Sequence, residues 1–333
     1  MTLVLPSLWF MLCAAAIAVA GTLLSRSADA LAEAYGWGRG WVGLALLATV
    51  TSLPELSSGL SAVAWIDAPN LAVGNVLGAC VVNLAFLVVV ELLQVRQPLY
   101  RHASPTHLLS AGFGVVMLGL VSLGLASGSA VPALRHLGLY SPLLLALYLV
   151  ALRSVFAHEQ GQHASAAAVP QVARPVGRSW RRFTAAALVV LLAGSTLPAA
   201  ADALAQALGL SRSFVGTVFM ALVTALPEMA VTMSALRLGA LDMAVGNLLG
   251  SNLFNLAILA VEDLAYTRGP LLAAVEAVHI GTAATALVMT GLVIVGLVLR
   301  PQGGLLQRLS WVGAGLLAAG LINAAWLALA SSP

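Results

Sequence analysis

Hydrophobic positions along this chain fall into long unbroken runs, not into the alternation of a strand or the one-sided stripe of a surface helix. A helix needs about 20 apolar residues to cross the ~30 Å hydrocarbon core of a bilayer. Ten such runs are legible, at 5–25, 41–65, 70–93, 106–126, 137–152, 183–207, 213–236, 242–262, 275–299 and 305–329. The main gap, 154–182, is rich in Ala, Gln, His, Pro and Arg and reads as a short polar linker. The pattern predicts an all-α membrane protein of ten transmembrane helices, divided as 1–153, a linker at 154–182, and 183–333.

Composition agrees. Of 333 residues, 61% are hydrophobic and 8% are charged, against about 25% charged in a soluble domain. All 15 basic residues are Arg. With the N-terminus outside, the outer loops hold only Arg135, Arg212 and Arg268 and the inner side holds the rest, a strong positive-inside bias. The expectation is a multi-pass protein of the cell (inner) membrane, with both termini outside and the linker cytoplasmic. No Arg-rich stretch interleaves with aromatics, so nucleic acid is not an expected partner. Cys13 and Cys80 sit inside apolar runs, without disulfide or Cys/His metal spacing. No cofactor is expected.

The chain repeats itself. Residues 28–55, ADALAEAYGWGRGWVGLALLATVTSLPE, align without a gap to 201–228, ADALAQALGLSRSFVGTVFMALVTALPE, at an offset of 173, with 16 of 28 positions identical. After one deletion, AVGNVLGACVVN at 72–83 matches AVGNLLGSNLFN at 244–255. Five spans per half is an odd number, so the second half enters the membrane from the opposite side. Inverted repeats of this kind place transporter sites at their interface.

Most of the 12 acidic residues fall near predicted span ends, within reach of water. Glu91 and Asp263, related by the repeat, read as snorkelling or capping groups; Glu276 and His279, three apart, read as an interfacial pair. Glu55 and Glu228 differ. They stand at equivalent repeat positions near the middle of the second and seventh spans, where an ionised carboxylate costs about 3 kcal/mol. Each follows a proline, Pro54 or Pro227, which has no N–H for the carbonyl four residues back. That leaves the carbonyls of Val50 and Val223 in want of a partner, and in lipid such groups must find one. Thr51 and Thr224 stand one turn before each Glu on the same face, although a membrane-helix Thr can equally bond back to its own helix. Asn75, Asn83, Asn247, Asn252 and Asn255 bring amide groups to the same depth, as hard neutral ligands or as bridges between helices. Two carboxylates, with two hydroxyls or freed carbonyls, offer about six oxygens, and Ca2+ takes six to eight. Their two negative charges match one Ca2+, two Na+ or two H+.

The motifs TSLPE at 51–55 and TALPE at 224–228, each followed by G-N-x-x-G, resemble the cation/Ca2+ exchanger superfamily, in particular its prokaryotic-type Na+/Ca2+ exchanger branch with two alpha-repeats. The resemblance spans nearly the whole chain. It implies ten helices in two inverted groups of five, and a Ca2+ site formed by Glu55, Glu228, Thr51 and Thr224 with backbone carbonyls near Ala48 and Ala221. Asn83 and Asn255 would take the remaining corners. It implies Ca2+ and Na+ or H+ as partners, together with the lipid bilayer, and a fixed core of helices two, three, seven and eight past which helices one and six move. The chain departs from the family where a Ser is expected: Ala79 and Ala225 stand in two such places, while Ser52 and Ser251 remain. Ser52 and Ser251 would thus preserve one sodium site while the other loses its hydroxyls. The expected function is secondary active antiport of Ca2+ against Na+, with altered or reduced Na+ coupling. Alternatives are a Ca2+/H+ antiporter and a Glu-lined cation channel. With no H-E-x-x-H and no Ser/His pairing, an enzyme is not expected.

Overall fold

The computed structural model describes residues 3–35, 47–94, 99–102, 104, 106–163, 176–301 and 309–330. These are nearly all helical, as the apolar runs require, because a helix is the local way to satisfy every backbone group inside a bilayer. The helices are α1 (Val4–Ala34), α2 (Leu53–Ala64), α3 (Pro69–Leu93), α4 (Thr106–Ser127), α5 (Tyr140–His163) and α6 (Val176–Leu208). Then come α7 (Arg212–Thr224), α8 (Leu226–Arg237), α9 (Leu241–Ala265), α10 (Val278–Leu299) and α11 (Trp311–Ala330). A two-residue antiparallel pairing of Ala133–Leu134 with Leu137–Gly138 closes the α4–α5 connection.

Eight of these helices are long and apolar enough to cross a membrane: α1, α3, α4, α5, α6, α9, α10 and α11. The bent pair α7 and α8, which meet at 41°, makes a ninth candidate. The remaining expected span, 41–65, is represented by helical residues 47–51 and by α2, while its residues 41–46 lie outside the described ones. Two expected boundaries shift. The first helix runs on to Ala34, well past residue 25. The polar linker is also shorter than 154–182: α5 continues through His163 and α6 begins at Val176, so its ends are helical. Residues 164–175 lie outside the described ones.

α3 and α9 pack against one another at the centre and are the most enclosed of the spans. α2, α7 and α8 lie beside them, and α4, α5, α10 and α11 surround them. α1 and α6 pack along each other and cross this core at two glycines. A Cβ on Gly21 of α1 would stand 2.4 Å from Pro227 Cγ, and one on Gly194 of α6 would stand 2.0 Å from Ser57 Oγ and 3.3 Å from the Pro54 carbonyl oxygen. Gly21 and Gly194 are one repeat offset apart, as are Pro54 and Pro227. Each long helix therefore crosses, at a glycine, the proline turn of the other half. Ser61 Oγ further donates to the Ser195 carbonyl, and Cys13 Sγ lies 3.5 Å from Thr196 Oγ1.

The acidic residues near span ends are less wet than their positions suggest. Asp263 is fully buried and accepts from Gly138 N (2.9 Å), Tyr140 OH (2.7 Å), Ser141 Oγ (2.5 Å) and Leu271 N (2.6 Å). It ties the α4–α5 connection to the loop after α9. Its repeat counterpart Glu91 accepts from Ser310 N at 2.9 Å, just before α11, where the helix dipole favours negative charge. Both are capping groups. Neighbouring Glu262 is also fully buried, which corrects its placement among solvated span ends.

Asp263→Ala would leave four buried donors without their acceptor. We expect a loss of about 3 kcal/mol or more, read as a lowered Tm of the purified protein in detergent. An unchanged Tm would show that this network does not hold the two loops.

Candidate functional site

The two proline-containing breaks face each other across the centre. At the first, Ser52 takes φ −87° and ψ 14° before α2, and Pro54 occupies the opening turn. At the second, Ala225 takes φ −78° and ψ 0° between α7 and α8, with Pro227 in the same place. Proline is tolerated in a first turn because its missing N–H has no intrahelical partner there. Each break thus restarts a helix two or three residues before its glutamate. Glu55 and Glu228 sit in the first turns of α2 and α8, where the positive end of the helix dipole favours a carboxylate. α7 reaches its break through a π-helical stretch, Val215–Met220, a form frequent at functional sites.

Both carboxylates are fully buried, and Ser52, three residues before Glu55, reaches Glu228 across the centre. Their surroundings are unequal. Ser52 Oγ donates to Glu228 Oε1 at 2.9 Å, and Thr51 Oγ1 lies 3.4 Å from Ser251 Oγ. The repeat counterpart of Ser52 is Ala225, with no hydroxyl to give, and neither oxygen of Glu55 has a partner. The counterpart of Ser251 is Ala79, and Thr224 instead donates to Asn75 Oδ1 at 3.0 Å. The two Ala replacements thus account for the asymmetry of the site.

Thr51 and Thr224 also bond back to their own helices, to the Ala48 carbonyl at 3.1 Å and the Ala221 carbonyl at 3.4 Å. Those carbonyls additionally accept from Ser52 N and Ala225 N, both at 3.1 Å. For Ala48 and Ala221 to serve a cation, the threonine hydroxyls must first turn away. On α3 and α9, Asn83 Nδ2 donates to Asn252 Oδ1 at 3.0 Å, and Asn252 Nδ2 to the Cys80 carbonyl at 3.2 Å. Asn83 Oδ1 and both polar atoms of Asn255 remain unpartnered. Asn75 Nδ2 donates to Ser58 Oγ at 3.0 Å; Asn247 Nδ2 lies 3.2 Å from Thr232 Oγ1 and 3.3 Å from the Glu228 carbonyl. These two amides brace the stretches that carry the glutamates.

Both oxygens of Glu55, Glu228 Oε2, Asn83 Oδ1 and Asn255 Oδ1 are therefore buried acceptors without a donor. Buried polar groups are hydrogen-bonded as a rule, and acceptors left unserved in an apolar interior attract cations. Among the described residues no group of three or more His, Cys, Asp or Glu gathers as a metal centre would. Two carboxylates with neutral amides and hydroxyls are instead a hard-oxygen set, suited to Ca2+ and Na+ and not to Zn2+.

The sequence singled out the glutamates, threonines and asparagines of this cluster, but not Ser58 and Thr232, which receive Asn75 and Asn247, nor the bridging role of Asn252. It missed Glu262, whose carboxylate is fully buried without a partner; its place on the last turns of a predicted span hid it. Glu276 and His279 do come together, around Ser213 Oγ at 2.6 and 3.2 Å, and both also bond Asn70. They join the starts of α3, α7 and α10, away from the two glutamates.

The profile of the family described as sodium/calcium exchanger protein matches residues 5–157 and 179–330. The inner membrane protein YrbG of Escherichia coli is 28% identical, over 78% of this chain and 84% of its own length. The sodium/calcium exchanger MaX1 of Methanosarcina acetivorans is 43% identical over a shorter stretch, 19% of this chain and 18% of its own. Among solved structures, the sodium-calcium exchanger NCX_Mj soaked with Na+ and Sr2+ superposes with a TM-score of 0.61 at 20% identity, covering all of both chains. At that identity the likeness is one of fold.

The two carboxylates generate a binding prediction. Ca2+ at 100 times its Kd would stabilise the purified protein by about 2.7 kcal/mol, read as a raised Tm. Glu228→Gln, which removes one charge and keeps the shape, is expected to abolish the shift. An equal shift in the variant would place the ion elsewhere.

Proposed function

The chain belongs to the sodium/calcium exchanger family, and on that premise we propose that it is a secondary antiporter exchanging Ca2+ for Na+ by alternating access. The observation that carries this reading is the pair Glu55 and Glu228: buried, repeat-related, each at a proline break, with three of their four oxygens unpartnered. Two ionised carboxylates in a site closed to water are too costly to leave bare. Some cation must therefore accompany them in each crossing. One Ca2+, two Na+ or two H+ balance the same charge, and that equality makes exchange obligatory.

The arrangement behind this is two inverted groups of five spans, with helical residues 47–51 and α2 as the second span and α7 with α8 as the seventh. Ala48, Thr51, Glu55 and Asn83 from one half, with Ala221, Thr224, Glu228 and Asn255 from the other, hold the divalent ion. Ser52 and Ser251 serve Na+. α1 and α6 are the moving pair. They meet the core at Gly21 against Pro227 and at Gly194 against Pro54 and Ser57, where the missing side chains leave two smooth crossings directly over the breaks. The protein sits in the inner membrane, with the linker between α5 and α6 in the cytoplasm and both termini outside. That orientation rests on the Arg asymmetry.

A second reading, Ca2+/H+ antiport, is favoured by one observation. Glu55 lacks the hydroxyl donor that Ser52 gives Glu228, because Ala225 stands in its place. A carboxylate with one hydroxyl fewer beside it suits a proton better than Na+.

Reconstituted into liposomes, the protein is expected to take up Ca2+ when an outward Na+ gradient is imposed, and Glu55→Gln to abolish that uptake. Ala79→Ser combined with Ala225→Ser is expected to increase the Na+ dependence severalfold. Uptake driven solely by a pH gradient would move the protein to the proton-coupled reading. An unchanged Na+ response in the double variant would remove the assigned role of the two alanines.

A further inference from the structure

Glu262 and Asp263 are adjacent on α9 and have opposite surroundings. Asp263 receives four donors, whereas neither oxygen of Glu262 has any, and Glu262 is as fully buried as its neighbour. The Glu262 carboxyl group is pressed onto Gly59 of α2: a Cβ there would stand 1.7 Å from Oε1 and 2.7 Å from Cδ. Gly59 lies four residues after Glu55, hence on the same helix face one turn further along. The Glu262 carboxyl group thus continues the line that starts at Glu55, toward the end of the fold where Arg268 Nη1 bonds Asp67 Oδ2 at 2.5 Å.

This pairing does not belong to the repeated scaffold. One repeat offset away, Gly59 corresponds to Thr232 and Glu262 to Val90. The glycine that makes room comes from the first half and the carboxylate that fills it from the second, and the symmetry-related contact carries neither. An inverted frame that accepts a valine at this position has no structural need for an acid.

We propose that Glu262 is a proton-binding site for the coupling ion, on the path between the Glu55–Glu228 site and the end of the fold closed by Arg268 and Asp67. A metal ion needs several oxygen ligands, and what the carboxyl group meets is a glycine backbone; a proton needs one oxygen. Uptake forms an O–H bond on the carboxylate and release returns the proton to water, so charge balances at each step. Of the titratable groups on elements packed against α9, Glu55 shares the face that Glu262 meets. Among the rest, Tyr140 of α5 bonds Asp263, Glu228 of α8 accepts from Ser52, His107 of α4 meets Asp242, Glu91 of α3 accepts from Ser310 and Cys80 of α3 meets the Asn252 carbonyl; Tyr100, Tyr148 and Arg237 also stand on packed elements. The assignment rests on the Ca2+/H+ reading for its transport role, not for proton binding itself.

The test uses proteoliposomes of the full chain with the isosteric Glu262→Gln. Ca2+/Ca2+ self-exchange, which needs no coupling ion, should stay within about twofold of the unmodified protein, while Ca2+ flux driven by a pH gradient should fall about tenfold or more. Parallel loss of both fluxes would reduce Glu262 to a structural role and overturn the proposal; self-exchange in the unmodified protein without any response to a pH gradient would overturn its transport role. Infrared difference spectra on a pH step, in H2O and D2O, give a readout independent of transport. A carboxyl C=O band that survives Glu55→Gln with Glu228→Gln and vanishes in Glu262→Gln supports the site. A spectrum that Glu262→Gln leaves unchanged refutes it. The band in a protein with no Ca2+ exchange would support the proton site while removing the exchange reading.

Discussion

Two carboxyl groups held out of water, one from each half of the chain, set the terms for everything else in this molecule. A carboxylate at mid-membrane costs about 3 kcal/mol on insertion scales, and a facing pair adds repulsion. Such a pair persists only where the fold supplies compensation and the charge is neutralised by a cation or a proton. The proline breaks at Ser52 and Ala225 are the first compensation, because they aim the starts of α2 and α8 at their own glutamates. The amides of Asn75 and Asn247 brace those turns, and the glycines of α3 let α7 approach: a Cβ on Gly78 would collide with the Thr217 carbonyl. Packing, helix breaks and electrostatics therefore converge on one small volume between the repeats.

Symmetry explains where the site is, and departures from symmetry explain what distinguishes it. Glu228 receives a hydroxyl from Ser52 while Glu55 receives none, since Ala225 occupies the equivalent place. Thr51 meets Ser251, while Thr224 turns to Asn75 because Ala79 offers nothing. Glu262 with Gly59 replaces Val90 with Thr232. Each difference removes hydroxyls from the first-half glutamate or adds a lone carboxylate beyond it.

Much of this was legible in the chain. Long apolar runs locate helices because the bilayer admits few alternatives. Glu55 and Glu228 stood out because charge in the middle of such a run needs a reason, and the repeat supplied the same exception twice. Span ends were less legible: α1 continues to Ala34 because an amphipathic stretch such as Ala-Asp-Ala-Leu-Ala can remain helical beyond the apolar core. The buried state of Glu262 and Asp263 was hidden for a related reason. Position along a helix gives depth, but exposure also depends on what packs against the end, here Gly59 and the loops held by Asp263. The Asn83–Asn252 bridge was equally out of reach, since pairing across α3 and α9 depends on how two helices cross.

Anomalous scattering from crystals soaked in Sr2+ would locate a divalent cation between Glu55 and Glu228. A single buried peak is expected within inner-coordination distance of oxygens from both carboxylates, about 2.5 Å, and is expected to be lost in Glu55→Gln. A peak held by residues of one half alone, or found at the membrane surface with the two glutamates unliganded, would contradict this placement.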